Sequence, residues 1–469
     1  MKVCLSLALL AVLPLSGALL HAQDTAATGE QQATPGQTED NSQSAQAPNQ
    51  TVLTGLGSPR ASALSAERDQ LVPEFQAIET VESNPYSLPD ESSVNSVTRL
   101  LGMLGAERVR NLSDLKLAYV GGVELYTYSE QGEHYRQLHE ALFDGKLTWQ
   151  RTQLRLINAF SYLPEAFFGA GAFGGVGVFQ SMLGGFFSGL AASGLSQFTP
   201  ANFASIGSSP TILNVSAVEF DHRFTPRGSL TATAGYGLLH FLNNTLPNEN
   251  QAIAEVAYNY ALRPRDTVAA VGGYGTFAFS HLGQAFTTQF AELFWGHQFS
   301  SSLTVSGGAG PVVIDIKDLT GRDLTWTAVG RLEYLRPRTS LSLQYLHYIN
   351  GGSGFLLGAH SDAAWLGVAR QLSRTWNGEL HGGYARSTEV VEGVTVPGLP
   401  DNNAFNRGYA GVRFARPLTE HTEFFVLYNY SQSNLDNSPY CSAGECGRVA
   451  QQHVGGIGLT WTPQPIRLP

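Results

Sequence analysis

Three features of the chain predict an all-β fold, a transmembrane antiparallel up-and-down β-barrel of about 16 strands with a disordered N-terminal extension. Charged residues are only 14% of 469, against roughly 25% in an ordinary soluble domain. From about Leu117 onward, short runs alternate apolar and polar residues. The connections between those runs alternate short and long.

Composition narrows the alternatives. The chain has 51 Gly, 18 Tyr, 25 Phe and 3 Cys. A mean hydropathy of -0.08 is too low for a polytopic helical membrane protein. Length and cysteine count exclude a disulfide-stapled mini-domain. With a net charge of -10, nucleic acid is not an expected partner. Lys2, Lys116, Lys146 and Lys317 are the only lysines, and the other basic residues are Arg. Genomic base composition explains that bias, and so does the use of Arg for planar contacts with carboxylates.

Residues 1–22, MKVCLSLALLAVLPLSGALLHA, place one Lys before an uncharged apolar stretch ending in a small residue. That is the pattern of a secretory signal peptide cleaved after Ala22; a membrane-anchor helix is the alternative. Residues 23–60 are rich in Gln, Thr, Ser, Ala and Asn, too polar to bury a core, and read as a disordered linker. Residues 61–115 carry weak helical hints in ASALSAERDQL and SVTRLLGML and read as a periplasmic N-terminal extension. Residues 116–463 read as the barrel.

Period two is plain in several runs. QAIAEVAYNYAL sets Ala252, Ala254, Val256, Tyr258, Tyr260 and Leu262 on one face, against Gln251, Glu255 and Asn259 on the other. LTWTAVGRLEYL separates Leu324, Trp326, Ala328, Leu332 and Tyr334 from Thr325, Thr327, Arg331 and Glu333. TEFFVLYNY separates Phe424, Val426, Tyr428 and Tyr430 from Glu423 and Asn429. Strands are expected near 117–128, 137–149, 153–164, 211–223, 229–242, 250–262, 267–279, 286–299, 303–315, 324–336, 340–349, 360–372, 378–387, 405–417, 422–432 and 450–462. Short turns such as Thr225-Pro226-Arg227-Gly228 and Pro337-Arg338-Thr339 alternate with longer connections such as NNTLPNEN, KDLTGRD and GGSGFLLGA. An even strand number places both ends of the barrel on the periplasmic side. The last strand closes on Trp461, and the tail TPQPIRLP follows it.

On these runs and turns, residues 117–461 resemble bacterial outer-membrane β-barrel proteins of the porin-like kind. The resemblance implies an outer-membrane location in a diderm bacterium. Outer-membrane lipid and the barrel assembly machinery are the partners it implies, and it is compatible with a homo-oligomer. A soluble sandwich shares the alternation. Aromatics near strand ends, at Trp149, Tyr162, Trp295, Phe299, Trp326, Tyr334 and Trp461, favour the membrane.

Between Glu165 and Glu219 the chain has no charged residue, and its core is AFFGAGAFGGVGVFQSMLGGFFSGLAASGL. Glycine is too frequent there for a transmembrane helix. Residues 165–210 therefore read as a long apolar Gly-rich loop. It either folds into the lumen and restricts it or lies over the rim. Cys441 and Cys446, in SPYCSAGECGR, read as a loop disulfide in an oxidising compartment.

The alternation directs a set of charged side chains inward: Glu124, Glu140, Asp144, Lys146, Arg155, Glu219, Asp221, Arg223, Glu255, Glu292, Arg331, Glu333, Arg407 and Arg413. Such groups set ionic selectivity by their field, or pair with one another to satisfy a polar interior. No catalytic site, metal or cofactor is expected. The histidines lack ligand spacing, and Asp221 and His222 are adjacent in a strand and so face opposite ways. GGYG at 272–275 and HGGY at 381–384 fall in mid-strand, where glycine relieves crowding. Two functions remain: a channel for small polar solutes restricted by residues 165–210, or a closed barrel acting as a surface-binding or envelope-scaffold protein.

Overall fold

The computed structural model describes residues 69–84, 93–127, 134–163, 210–242, 247–280, 283–317, 322–352, 356–390, 404–435 and 449–468. The signal segment, the linker, residues 165–209 of the apolar loop and both Cys441 and Cys446 lie outside them.

The described residues form one antiparallel sheet. Its strands are β1 (Gln70–Ser83), β2 (Val94–Val109), β3 (Ser113–Tyr126), β4 (Tyr135–Thr148), β5 (Thr152–Leu163), β6 (Thr211–Arg223), β7 (Gly228–Phe241), β8 (Glu249–Arg263) and β9 (Asp266–Phe279). The order continues with β10 (Ala285–Ser300), β11 (Leu303–Ile316), β12 (Arg322–Arg336), β13 (Thr339–Gly352), β14 (Leu357–Gln371) and β15 (Asn377–Glu389). It ends with β16 (Ala404–Pro417), β17 (Thr422–Leu435), β18 (Val449–Trp461) and the short β19 (Ile466–Arg467). Each strand pairs with its sequence neighbours, and β1 pairs with both β2 and β18, from Phe75 opposite Trp461 to Glu82 opposite Val454. That last pairing closes the barrel and leaves its wall without a free edge. The tail after Trp461 is not free: β19 pairs with β1, and the Leu468 N–H donates to the Asp69 carbonyl at 2.8 Å.

The barrel has 18 strands besides β19, two more than the sequence pattern gives. The sixteen expected strands correspond to β3–β18 within a few residues at each end. The additional two, β1 and β2, occupy residues 70–109, which read as part of a periplasmic extension. Their alternation is obscured for physical reasons. The run Leu100–Leu104 is apolar on both faces. On β1, Glu79 lies on the outer face, where the Ser96 and Thr98 hydroxyls of β2 donate to its carboxylate.

Burial separates two faces. On β8, Gln251, Ile253, Glu255, Ala257 and Asn259 are buried, while Val256, Tyr258 and Leu262 are exposed. The same split runs around the sheet, leaving Leu117, Phe220, Leu293, Trp326 and Ile457 exposed on the outer set. A continuous apolar outer face suits lipid, whereas a soluble sandwich would bury it. The inward face is not uniformly polar. Ile78, Leu138, Val215, Phe277, Phe286 and Phe425 belong to one buried apolar cluster there.

Glycines admit the large inward rings. A Cβ on Gly458 would fall 2.2 Å from Cζ of Phe425, and one on Gly273 equally close to Cζ of Phe290. Phe425 is fully buried, with the Arg413 guanidinium 4.4 Å from its ring centroid. Gly458→Val therefore has no room. Overpacking of this kind costs about 1–3 kcal/mol, and the heat-modifiable gel band of the variant should disappear at a lower temperature than that of the parent.

Candidate functional site

The inner wall is the candidate site, and the strand alternation positions every side chain in it. All thirteen residues Glu140, Asp144, Lys146 (β4), Arg155 (β5), Glu219, Asp221, Arg223 (β6), Glu255 (β8), Glu292 (β10), Arg331, Glu333 (β12), Arg407 and Arg413 (β16) fall on the inward set. So does Glu124 on β3. His222, beside Asp221, lies on the outer set, where its ring stacks against Phe220 and meets the edge of Phe224.

The structure divides these residues into paired and unpaired groups. Arg155 grips Asp144 with two parallel bonds, Nε to Oδ1 at 2.7 Å and Nη2 to Oδ2 at 2.5 Å. Planar two-point contacts of this kind are the strong form of the interaction. Arg331 pairs with Glu333 at 2.6 Å, and Arg413 with Glu423 at 2.7 Å. Lys146 stands opposite Arg155 on one side and Asp114 on the other. Asp221 accepts from the Thr231 hydroxyl at 2.9 Å. Arg407 is buried. Glu140, Glu219, Glu255 and Glu292 form no ion pair among the described residues.

Sequence reasoning missed the most extensive network because two of its strands were not recognised. Arg99 on β2 bonds Glu82 of β1 at 2.6 Å, Glu124 of β3 at 2.7 Å and the Thr80 hydroxyl at 2.8 Å. Tyr126 donates to the other Glu124 oxygen at 2.9 Å, and the Arg136 guanidinium lies 5.1 Å from the Tyr126 ring. Arg99, Glu82 and Glu124 are all buried. The signal was present in β1: Glu74, Gln76, Thr80 and Glu82 all occupy alternate positions.

At the long-loop end, the β13–β14 hairpin leaves the wall. Ile349, Asn350, Leu356, Leu357 and Ala359 are all buried, so residues of both pleat faces are covered. Gly352 and Gly358 have φ of +90° and +74°, which L side chains rarely adopt. Asn350 accepts from the Gly352 N–H at 2.8 Å and donates to the Ser361 hydroxyl at 3.0 Å. A Cβ on Gly351 would fall 1.5 Å from Oε1 of Glu249, at the start of β8. A Cβ on Gly358 would fall 2.5 Å from the Phe286 ring of β10. Four strands separate β8 from β13 in the sheet order, so this contact reaches across the barrel mouth. The connection GGSGFLLGA thus begins and ends in segments turned inward.

Among the described residues no group of three or more His, Cys, Asp or Glu is arranged to hold a metal ion. No family model matches the chain, and no curated protein sequence matches it. Solved structures similar to it include Pseudomonas aeruginosa OccK2 (OpdF) in complex with glucuronate, at 9% identity and a TM-score of 0.41 over 85% of this chain and 100% of that one. The outer membrane protein OpdK from Pseudomonas aeruginosa aligns at 9% identity and a TM-score of 0.40, over 84% of this chain and 98% of that one. Acinetobacter baumannii OccAB2 aligns at 8% identity and a TM-score of 0.40, with the same coverage of both chains, 84% and 98%.

Proposed function

We propose that the chain is a porin-like channel of the outer membrane that passes small polar solutes, with residues 165–210 narrowing the path. The observation that carries this reading is the combination of a closed wall, an apolar outer face and a charged inner one. A wall with no free edge can sit in lipid without unsatisfied backbone groups. Side chains of both signs on its inner face offer solutes a field rather than a greasy surface. Ion pairs such as Asp144–Arg155 and Arg413–Glu423 hold that lining in fixed positions. Charges held in position on the inner face of a closed wall suit passage rather than catalysis. Cys441 and Cys446 would brace an external loop as a disulfide.

One observation favours a second reading, a closed barrel serving as a surface-binding or envelope-scaffold protein. The buried β13–β14 end lies across the mouth. Single-channel recording in planar bilayers separates the two. The channel reading predicts discrete current steps from protein extracted from outer membranes and showing a heat-modifiable band. A correctly folded barrel that passes no current under any applied voltage would select the scaffold reading.

A further inference from the structure

Every strand of the barrel pairs with both neighbours, but one seam stops short. β12 and β13 pair from Arg336 opposite Thr339 only as far as Ala328 opposite His347. Beyond that rung β12 continues to Arg322 paired with β11 alone, and β13 continues to Gly352 paired with β14 alone. Carried on, the same register would set Thr327 opposite Tyr348, Trp326 opposite Ile349, Thr325 opposite Asn350, Leu324 opposite Gly351 and Asp323 opposite Gly352. The two-residue turn Pro337-Arg338 makes Arg336 and Thr339 a hydrogen-bonded pair, so bonded rungs fall on the even residues of β12. Trp326 and Leu324 therefore present their backbone N–H and C=O to a neighbour that the ladder does not supply. The two edges have parted: Leu324 and Trp326 are 70% and 50% exposed, whereas Ile349 and Asn350 are 2% and 0% exposed. At the fork a side chain takes over, where the Thr327 hydroxyl donates to the His347 carbonyl at 2.9 Å.

The parted edges suit each other. An unpaired strand edge is a template for another strand. On the missing rungs, apolar Trp326 and Ile349 fall on the outer face and polar Thr325 and Asn350 on the inner one, so the alternation matches. β14 stays with β13 to Leu357 opposite Gly352, and β15 stays with β14 to Glu389 opposite Ala359, so this seam alone has to open and close. The present arrangement has contacts of its own. Ile349, Leu356 and Leu357 join Phe286 and Val390 in the buried apolar cluster, and Gly351 lies against the Glu249 carboxylate. On the wall the β13–β14 end would gain ladder bonds and return Glu249 to water; in the mouth it gains apolar burial. Segments with two discrete packings of this kind make switches.

We propose that the outer half of the β12–β13 seam is a gate. The β13–β14 end moves between the mouth, where it now lies, and the β12 edge, where the five missing rungs complete the wall and clear the path. The inference deepens the channel reading and rests on it for conductance, but not for the movement.

The test uses two cysteine pairs, each in a Cys441→Ser, Cys446→Ser background, followed in intact outer membranes and in planar bilayers. Thr325→Cys with Asn350→Cys bridges the seam on a rung without backbone bonds, where facing Cβ atoms come within about 5 Å once the strands pair. Glu249→Cys with Gly351→Cys bridges the mouth. Each pair should oxidise to a disulfide, seen as altered mobility on unreduced gels, in a barrel that keeps its heat-modifiable band. The oxidised seam pair should conduct severalfold better than the same protein reduced. The oxidised mouth pair should hold the lowest conductance until reductant is added. A mouth pair that cross-links beside a seam pair that never does would fix the end in the mouth and overturn the gate. A cross-linked seam with unchanged conductance in a conducting barrel overturns it as well. Cross-linking of both pairs without any current upholds the movement and removes the channel. Should Gly351→Cys prevent assembly, the single variant Asn350→Cys decides: its thiol, buried in the mouth, should react with a water-soluble maleimide as the end swings to the wall. Complete protection of that thiol in a folded barrel overturns the gate.

Discussion

Arg99→Met should destabilise the barrel more than any other single substitution considered, by about 3–5 kcal/mol, because removing one partner of a buried charge network strands the others. Arg99 lies between Glu82 and Glu124, and its guanidinium ties β2 to both neighbouring strands, β1 and β3. Methionine fills much of the volume and supplies no charge, so Glu82 and Glu124 would be left buried without the cation they share. The check is the urea concentration at which the heat-modifiable band is lost. A companion variant, Arg99→Met with Glu82→Gln and Glu124→Gln, removes the stranded charges and should recover most of the loss. If the single variant unfolds at the parent's midpoint, the network is not holding β1 to β3.

Deleting residues 168–205 should raise single-channel conductance severalfold, or open a channel that is otherwise closed. An apolar, Gly-rich loop without charges has little reason to extend into water, and the connection between β5 and β6 starts at the mouth. The strands should still assemble, since β5 and β6 pair directly from Leu163 opposite Thr211. The β13–β14 end offers a second, independent obstruction. Replacing residues 351–358 with a two-residue Asn-Gly turn should also raise conductance, because it withdraws the segment that reaches Glu249 and Phe286. Unchanged conductance in the first deletion, with the barrel folded, would place the apolar loop over the rim. Unchanged conductance in the second would mean that the β13–β14 end covers wall rather than path.

Legibility in the sequence followed how cleanly each strand separates its faces. β8 was readable because Val256, Tyr258 and Leu262 alternate with Gln251, Glu255 and Asn259, and burial reproduces that division. β1 and β2 were not, since Glu79 sits on the lipid side and Leu100–Leu104 is apolar on both faces. The buried inward rings were hidden for a related reason. In TEFFVLYNY, Phe424 and Phe425 are adjacent and point opposite ways, so the apolar run conceals which ring faces in. Inward direction of the charged residues needed only period two, and all fourteen follow it. Their company needed register. Asp144 and Arg155 sit across one short turn, so their pairing was within reach of the sequence. The approach of Glu219, Glu255 and Glu292 depends on how β6 through β10 are offset, which no local pattern encodes. The approach of Gly351 to Glu249 depends on β8, more than ninety residues earlier in the chain.

The central claim is that eighteen strands close into one membrane-embedded wall at the β1–β18 seam. Ala77 and Leu459 face each other across that seam on the outer side. In a Cys441→Ser, Cys446→Ser background, the pair Ala77→Cys and Leu459→Cys should form a disulfide in intact outer membranes, seen as a mobility difference between reduced and unreduced gels. Two free, labelled thiols at these positions in an assembled, heat-modifiable barrel would contradict closure by β1 and with it the eighteen-strand wall.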